Sequence, residues 1–165
     1  MKSVLMVMLA GASLSYAQSS LSAELKKGYD EIKSAIVKAA DEMPEADYNY
    51  TPGPGSRTYG ATTLHAATVQ AAICGMASGK QAPRFDQSKT GKADVVAAVK
   101  AAFDFCDPIY AGVTDADATK LVKMFGRDRT MYGTLDFGLI HSNETYGSMA
   151  VYLRAKTKVP PTSQK

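Results

Sequence analysis

Apolar residues recur at helical spacing along most of the chain, and four helical segments can be read from that rhythm. The first covers about residues 21–43, where Leu21, Leu25, Tyr29, Ile32 and Ile36 share a face and Pro44 marks the stop. A loop follows at 47–56, because two prolines and two glycines within residues 52–55 exclude regular structure. The second helix is expected over 59–78, with Thr58 as its N-cap, and a polar connection at 79–91 leads to the third. That third segment, 92–113, places Val95, Val99, Ala102, Cys106, Ile109 and Val113 in one narrow stripe, with Pro108 as an expected kink. Thr114 and Asp117 are expected to cap a short helical turn over 118–123. Residues 127–130 read as a charged approach to the fourth helix, 131–155, and the tail from 156 to 165 as extended and partly loose. No strong strand, internal repeat or low-complexity tract is evident, so the pattern predicts a single all-α four-helix bundle.

The amino terminus changes the picture. Lys2, a short apolar run from Val4 to Leu14 and the small residues of Ser15-Tyr16-Ala17 read as a secretory leader over 1–17, cut before Gln18. The run is shorter than the roughly 20 apolar residues a bilayer span needs. Cleavage would leave a domain over 18–165, 148 residues long, enough for a sizeable core. Loss of Lys2 lowers the formal net charge from +3 to +2. The basic residues are interspersed with acids, so nothing predicts a nucleic-acid partner, and no later stretch predicts membrane association after cleavage. The expected location is periplasmic or secreted.

Candidate chemistry gathers on the last helix. His141, Thr145, Ser148 and Tyr152, at offsets of 0, 4, 7 and 11, fall on one stripe that Thr134 and Gly138 extend. Such a semi-polar stripe lines a small cavity or faces solvent. His65 lies with Ala61, Val69, Ala72 and Met76 on an apolar face of the second helix, as a hydrogen-bonded core residue or as a ligand. Neutral imidazoles from two helices are a candidate pair for zinc, nickel or iron, but a catalytic zinc ordinarily has three protein ligands and a water. Glu144 is a candidate for the third. Arg57 and Arg154 are candidate anion contacts, or solvated and salt-bridged residues.

Met43-Pro44-Glu45-Ala-Asp47-Tyr48, then Pro52-Gly-Pro54-Gly55-Ser-Arg57-Thr-Tyr59-Gly60 leading to Leu64-His65-Ala66, resembles the DinB-like (DinB/YfiT) superfamily. So does the ending from His141-x-x-Glu144-Thr145-Tyr146-Gly147 through Tyr152-Leu153-Arg154 to Val159-Pro160-Pro161. The resemblance implies an up-down-down-up bundle with the second and third helices parallel, and a bacterial source. It also implies a divalent metal held by three histidines, one on the second helix and an H-x-x-x-H pair on the fourth. Members of that superfamily transfer thiols such as bacillithiol or mycothiol, isomerise maleylpyruvate, or are assigned as hydrolases. Carried onto this chain, His65 and His141 match two ligand positions, the third is occupied by Thr145, and a supporting glutamine position is Ser148.

Cys74 lies nine residues past His65, half a turn around the helix, which argues against a shared Cys/His site. Two cysteines in an exported chain suggest a disulfide, against two buried free thiols. An antiparallel second and third helix would leave Cys74 and Cys106 about 16 Å apart, whereas the parallel arrangement implied by the resemblance makes a Cys74–Cys106 bridge feasible.

The expectation is an exported DinB-like domain of unassigned activity, with a degenerate metal site and a small-ligand or partner-binding role, and no cofactor. The alternative is a divalent-metal-dependent hydrolase or thiol S-transferase using His65 and His141. A homodimer is also expected to be feasible, because Leu139, Ile140, Met149, Val151 and Leu153 are more apolar residues than one face of the last helix needs.

Overall fold

The computed structural model describes residues 20–164, so the leader read at 1–17 and the first residues after it lie outside the described part. Four helices make up most of the rest: α1 (Leu21–Glu42), α2 (Tyr59–Ser78), α3 (Lys92–Gly112) and α4 (Met131–Ala155). Each start has a local cause. The hydroxyls of Ser20, Thr58 and Thr130 accept from the amides of Ala23, Ala61 and Gly133, satisfying donors that a helix start leaves unpaired. Stops are equally local. Extended backbone at Met43, ahead of Pro44, ends α1, and Gly79 ends α2 in the left-handed conformation at φ 71°. Pro108 lies on the exposed side of α3, which continues past it to Gly112.

Side-chain contacts fix how the helices lie. Tyr29 of α1 stacks on Tyr110 of α3 with ring centroids 3.9 Å apart, and its hydroxyl donates to Asp107 at 2.7 Å. Lys33 pairs with the same carboxylate at 2.7 Å, while Lys92 at the start of α3 donates to the carbonyls of Asp41 and Met43. Gly60, at the start of α2, sits so close to Thr90 that a Cβ there would lie 2.0 Å from the Thr90 carbonyl oxygen. About 21 Å of helix further on, fourteen residues at 1.5 Å each, a disulfide joins Cys74 to Cys106 with Cα atoms 5.6 Å apart. Along α4, Gly138 meets Ile73, Tyr110 and Gln70, and Leu139 lies over Gly28 of α1.

The α3–α4 connection departs from the sequence reading. The Thr114–Asp117 cap forms, but on a 3₁₀ turn at Asp115–Asp117, whose Asp115 carboxylate accepts from the Ser22 amide at the head of α1. Residues expected as a helical turn are instead strand β1 (Leu121–Met124), paired antiparallel with β2 (Arg127–Thr130). Phe125 and Gly126, both at positive φ (50° and 80°), form the two-residue turn between them. The charged approach to α4 is therefore β2, and the fold is mostly helical with one hairpin.

Three further expectations need correction. The tail is not loose: Pro160 is buried, the Tyr146 hydroxyl meets Thr162 at 3.0 Å, and Gln164 donates to Glu42 at 2.9 Å. The face of α2 carrying Ala61, His65, Val69, Ala72 and Met76 is half-buried, at the border of a core made by Leu64, Ala67, Ala71 and Ile73. Of the apolar residues on α4 thought surplus, Met149 and Leu153 are fully buried and Leu139 packs against the core, leaving Ile140 and Val151 exposed. Among the described residues, no helix is long and apolar enough to cross a membrane.

Candidate functional site

Two helices and one loop build a cleft of about 660 Å³. From α2 come Thr62 and His65; from α4, one turn after another, His141, Thr145, Ser148 and Tyr152, with Glu144 beside them. The mouth is the proline-glycine loop, contributing Pro52, Gly55, Ser56 and Arg57. That loop is held by its own tyrosines. Tyr48 and Tyr59 donate to the carbonyls of Ala40 and Ala39 at the end of α1, both at 2.5 Å, and their rings meet edge to face at 5.3 Å. Tyr50 packs edge to face on Tyr152, and the Tyr152 hydroxyl donates to the Arg57 carbonyl at 2.6 Å, pinning Arg57 at the rim.

His65 and His141 face one another across this cleft, ring centroids 5.1 Å apart and planes inclined by 64°. Burial, the Arg57 charge and His141 push the His65 pKa below the usual histidine value. Burial also pushes the His141 pKa down, aided by Arg57 and opposed by the Glu144 carboxylate. Both rings are therefore neutral near pH 7, each with one N–H donor and one acceptor nitrogen. The Nδ1 atom of His141 is buried and has no hydrogen-bond partner. Arg57 is exposed and, among the described residues, has no carboxylate within salt-bridge distance.

The donor set does not fit a three-ligand metal centre. Among the described residues no three histidine, cysteine, aspartate or glutamate side chains converge as an ion-holding group. The Thr145 hydroxyl, at the position a third imidazole would occupy, donates back to the His141 carbonyl at 2.9 Å. Its remaining lone pairs are weak ligands beside an imidazole. Ser148 is exposed at the rim, 3.5 Å from the Glu144 carbonyl.

The structure thus brings His65, His141, Thr145, Ser148 and Tyr152 into one cleft, and joins Cys74 to Cys106 elsewhere. Sequence reasoning missed Gln70 and Ser142. Gln70 is 1% exposed; its amide nitrogen lies 3.3 Å from the Tyr110 hydroxyl and 3.5 Å from the Cys74 sulfur, and its amide oxygen accepts from Ser142 at 2.9 Å. The signal was available, since Gln70 stands four residues from both Ala66 and Cys74, on the buried face of α2.

Comparison with known proteins places the chain firmly. The family model described as DinB superfamily matches residues 29–149. A DinB-like protein from Bacillus cereus superposes with a TM-score of 0.73 at 19% identity, covering 83% of this chain and 93% of that one. A second DinB-like protein, from Bacillus subtilis, gives 0.64 at 14% identity, covering 86% and 99%. At these identities the likeness is one of fold. No curated protein matches the sequence.

Proposed function

Because this chain belongs to the DinB superfamily, we propose that it is an exported member whose two-histidine cleft binds a small polar molecule instead of holding a catalytic metal. The observation that carries this reading is the occupied Thr145 hydroxyl beside two neutral, facing imidazoles. The two rings meet edge to face and line the cleft together, His141 through its Nε2 since its Nδ1 is buried; Tyr152 and Thr62 line it beside them, and the free guanidinium of Arg57 favours a ligand carrying negative charge. A disulfide within the core suits an oxidising compartment, as the leader at 1–17 does.

A divalent-metal hydrolase or thiol S-transferase is the second reading. It is favoured by the buried, unpartnered Nδ1 of His141 and by both rings being in the uncharged form that binds metals. Export weighs against the thiol-transfer version, since low-molecular-weight thiols are mainly cytoplasmic reductants.

Elemental analysis by plasma mass spectrometry separates the two. The mature protein, purified without a histidine tag or chelator, is compared with a His65→Ala/His141→Ala variant. The ligand-binding reading expects no metal near one equivalent even after incubation with excess zinc, nickel or iron. Near-stoichiometric metal that disappears in the variant would overturn it and establish the metal centre.

A further inference from the structure

A second concavity, on the hairpin side of α2, is larger than the histidine cleft, at about 1050 Å³. Its walls are the last turns of α2, the 79–91 connection and β1. The floor is apolar: Ala72 and Met76 from α2, Phe85 from the connection and Val122 from the hairpin, each half-buried rather than sealed. Around that floor stand Lys80 and Arg84 on one side and Lys120 and Lys123 on the other, all exposed, and no described lining residue is acidic. Lys123 shares the carboxylate of Asp128 at 2.8 Å. Neither Lys80 nor Arg84 has a carboxylate within salt-bridge distance among the described residues.

We infer that this groove is a binding site for a single-chain amphiphilic anion, an apolar chain ending in a carboxylate. Three observations fit that chemistry. Half-buried apolar side chains lining a concave surface gain by covering them with an apolar body. A rim of uniform sign selects the charge of the head group and rejects a cation of the same shape. The size, about 1050 Å³, lies just above the range of ordinary ligand sites, about 300–1,000 Å³, so a chain of drug-like length is accommodated. Lys80 and Arg84, free of internal partners, are the residues that would hold the carboxylate. Lys120 adds positive charge across the opening, whereas that of Lys123 is offset by Asp128.

Calorimetric titration of the mature protein with dodecanoate, below its micelle concentration, tests the site. One saturable site is expected. A Lys80→Glu/Arg84→Glu variant should bind at least about tenfold more weakly, since two exposed attractions become repulsions. Both positions are exposed, so the fold should survive, and circular dichroism with a thermal scan checks this on the same sample. Dodecyltrimethylammonium, with the same chain and the opposite charge, should bind more weakly than dodecanoate. The His65→Ala/His141→Ala variant should bind dodecanoate as the wild type does, which separates this groove from the histidine cleft. Absence of saturable binding, equal binding of the cationic amphiphile, or full affinity in the folded charge-reversed variant would each overturn the inference. Loss of binding in the histidine variant would also overturn it, by placing the ligand in the other cleft. So would binding to anionic lipid vesicles without binding to free dodecanoate.

Discussion

The Gln70 side chain crosses the middle of the core, and both ends of its amide are engaged by other helices. The Tyr110 hydroxyl that accepts from it donates in turn to the Leu135 carbonyl, so one chain of hydrogen bonds ties α2, α3 and α4. Gln70→Leu keeps the volume close but strands Ser142 and removes one bond to Tyr110. A loss of about 1–3 kcal/mol in urea-unfolding stability is expected, the cost of an unpaired buried hydroxyl. The histidines make a prediction of opposite character, visible only as pH changes. Their folded pKa values lie below the unfolded one, so the unfolded chain takes up protons first. Their contribution is complete above about pH 6.5 and is lost as pH falls through the lowered folded values. Urea midpoints measured from pH 7.5 down to 5 should therefore fall less steeply in the His65→Ala/His141→Ala variant than in the wild type. Identical slopes would mean that the rings are not desolvated. Of this scale, the histidine pair was legible in sequence only through the family resemblance, since helix period alone left His141 lining a cavity or facing solvent and His65 as core residue or ligand. Arg57 as their shared neighbour was not, since only the loop fold delivers it to the rim.

At the scale of elements, periodicity resolved the helices because long amphipathic runs repeat their signal over several turns, and Thr58, Pro44 and Gly79 marked ends in the residues themselves. The hairpin escaped because it has little of either signal. Each strand is four residues long, β2 is Arg-Asp-Arg-Thr with no apolar alternation, and its turn uses Phe125 where asparagine or aspartate usually adopts positive φ. Gly126 was the single clue. The disulfide needed a different kind of knowledge, the relative placement of α2 and α3, which no periodicity within one helix contains. Its energetic role follows from the chain it closes. With the cysteines separated by 32 positions, the bridge limits the unfolded chain by about 3–4 kcal/mol on loop-closure entropy. The Cys74→Ala/Cys106→Ala variant should lose that order of stability in urea unfolding. Most of the loss should recur when wild type is unfolded with a reductant present. Equal midpoints with and without reductant would show that the crosslink adds nothing to the folded chain.

Across the whole molecule, the stretch after α4 matters more than its composition suggests. A polar, proline-containing stretch after the last periodic residue reads as a loose tail, and sequence offers no signal that it docks, because its anchors are single atoms instead of a pattern. In the structure it closes a circuit. Lys156 pairs with Asp47 at 2.9 Å and lies over the Tyr50 ring, so the end of α4 is fastened to the loop that forms the cleft mouth. Beyond it, buried Pro160, the Thr162 contacts to the Tyr146 hydroxyl and the bond from Gln164 to Glu42 attach the last residues to both α4 and α1. Tyr146 lies two turns before Tyr152, which holds the Arg57 carbonyl. The tail therefore braces, through buried Tyr146, the same helix that carries His141. Truncation after Val159 removes one buried ring and a few half-exposed hydrogen bonds, and should cost about 1–2 kcal/mol. Its effect should be uneven. Hydrogen exchange of amides from 146 to 155 should rise more than that of the α2–α3 core crosslinked by the disulfide, because local opening no longer has to break the tail contacts. A uniform rise would mean that the tail supports only global stability. No change at all would mean that α4 holds its place by packing alone, with Met149 and Leu153 sufficient to set the cleft wall.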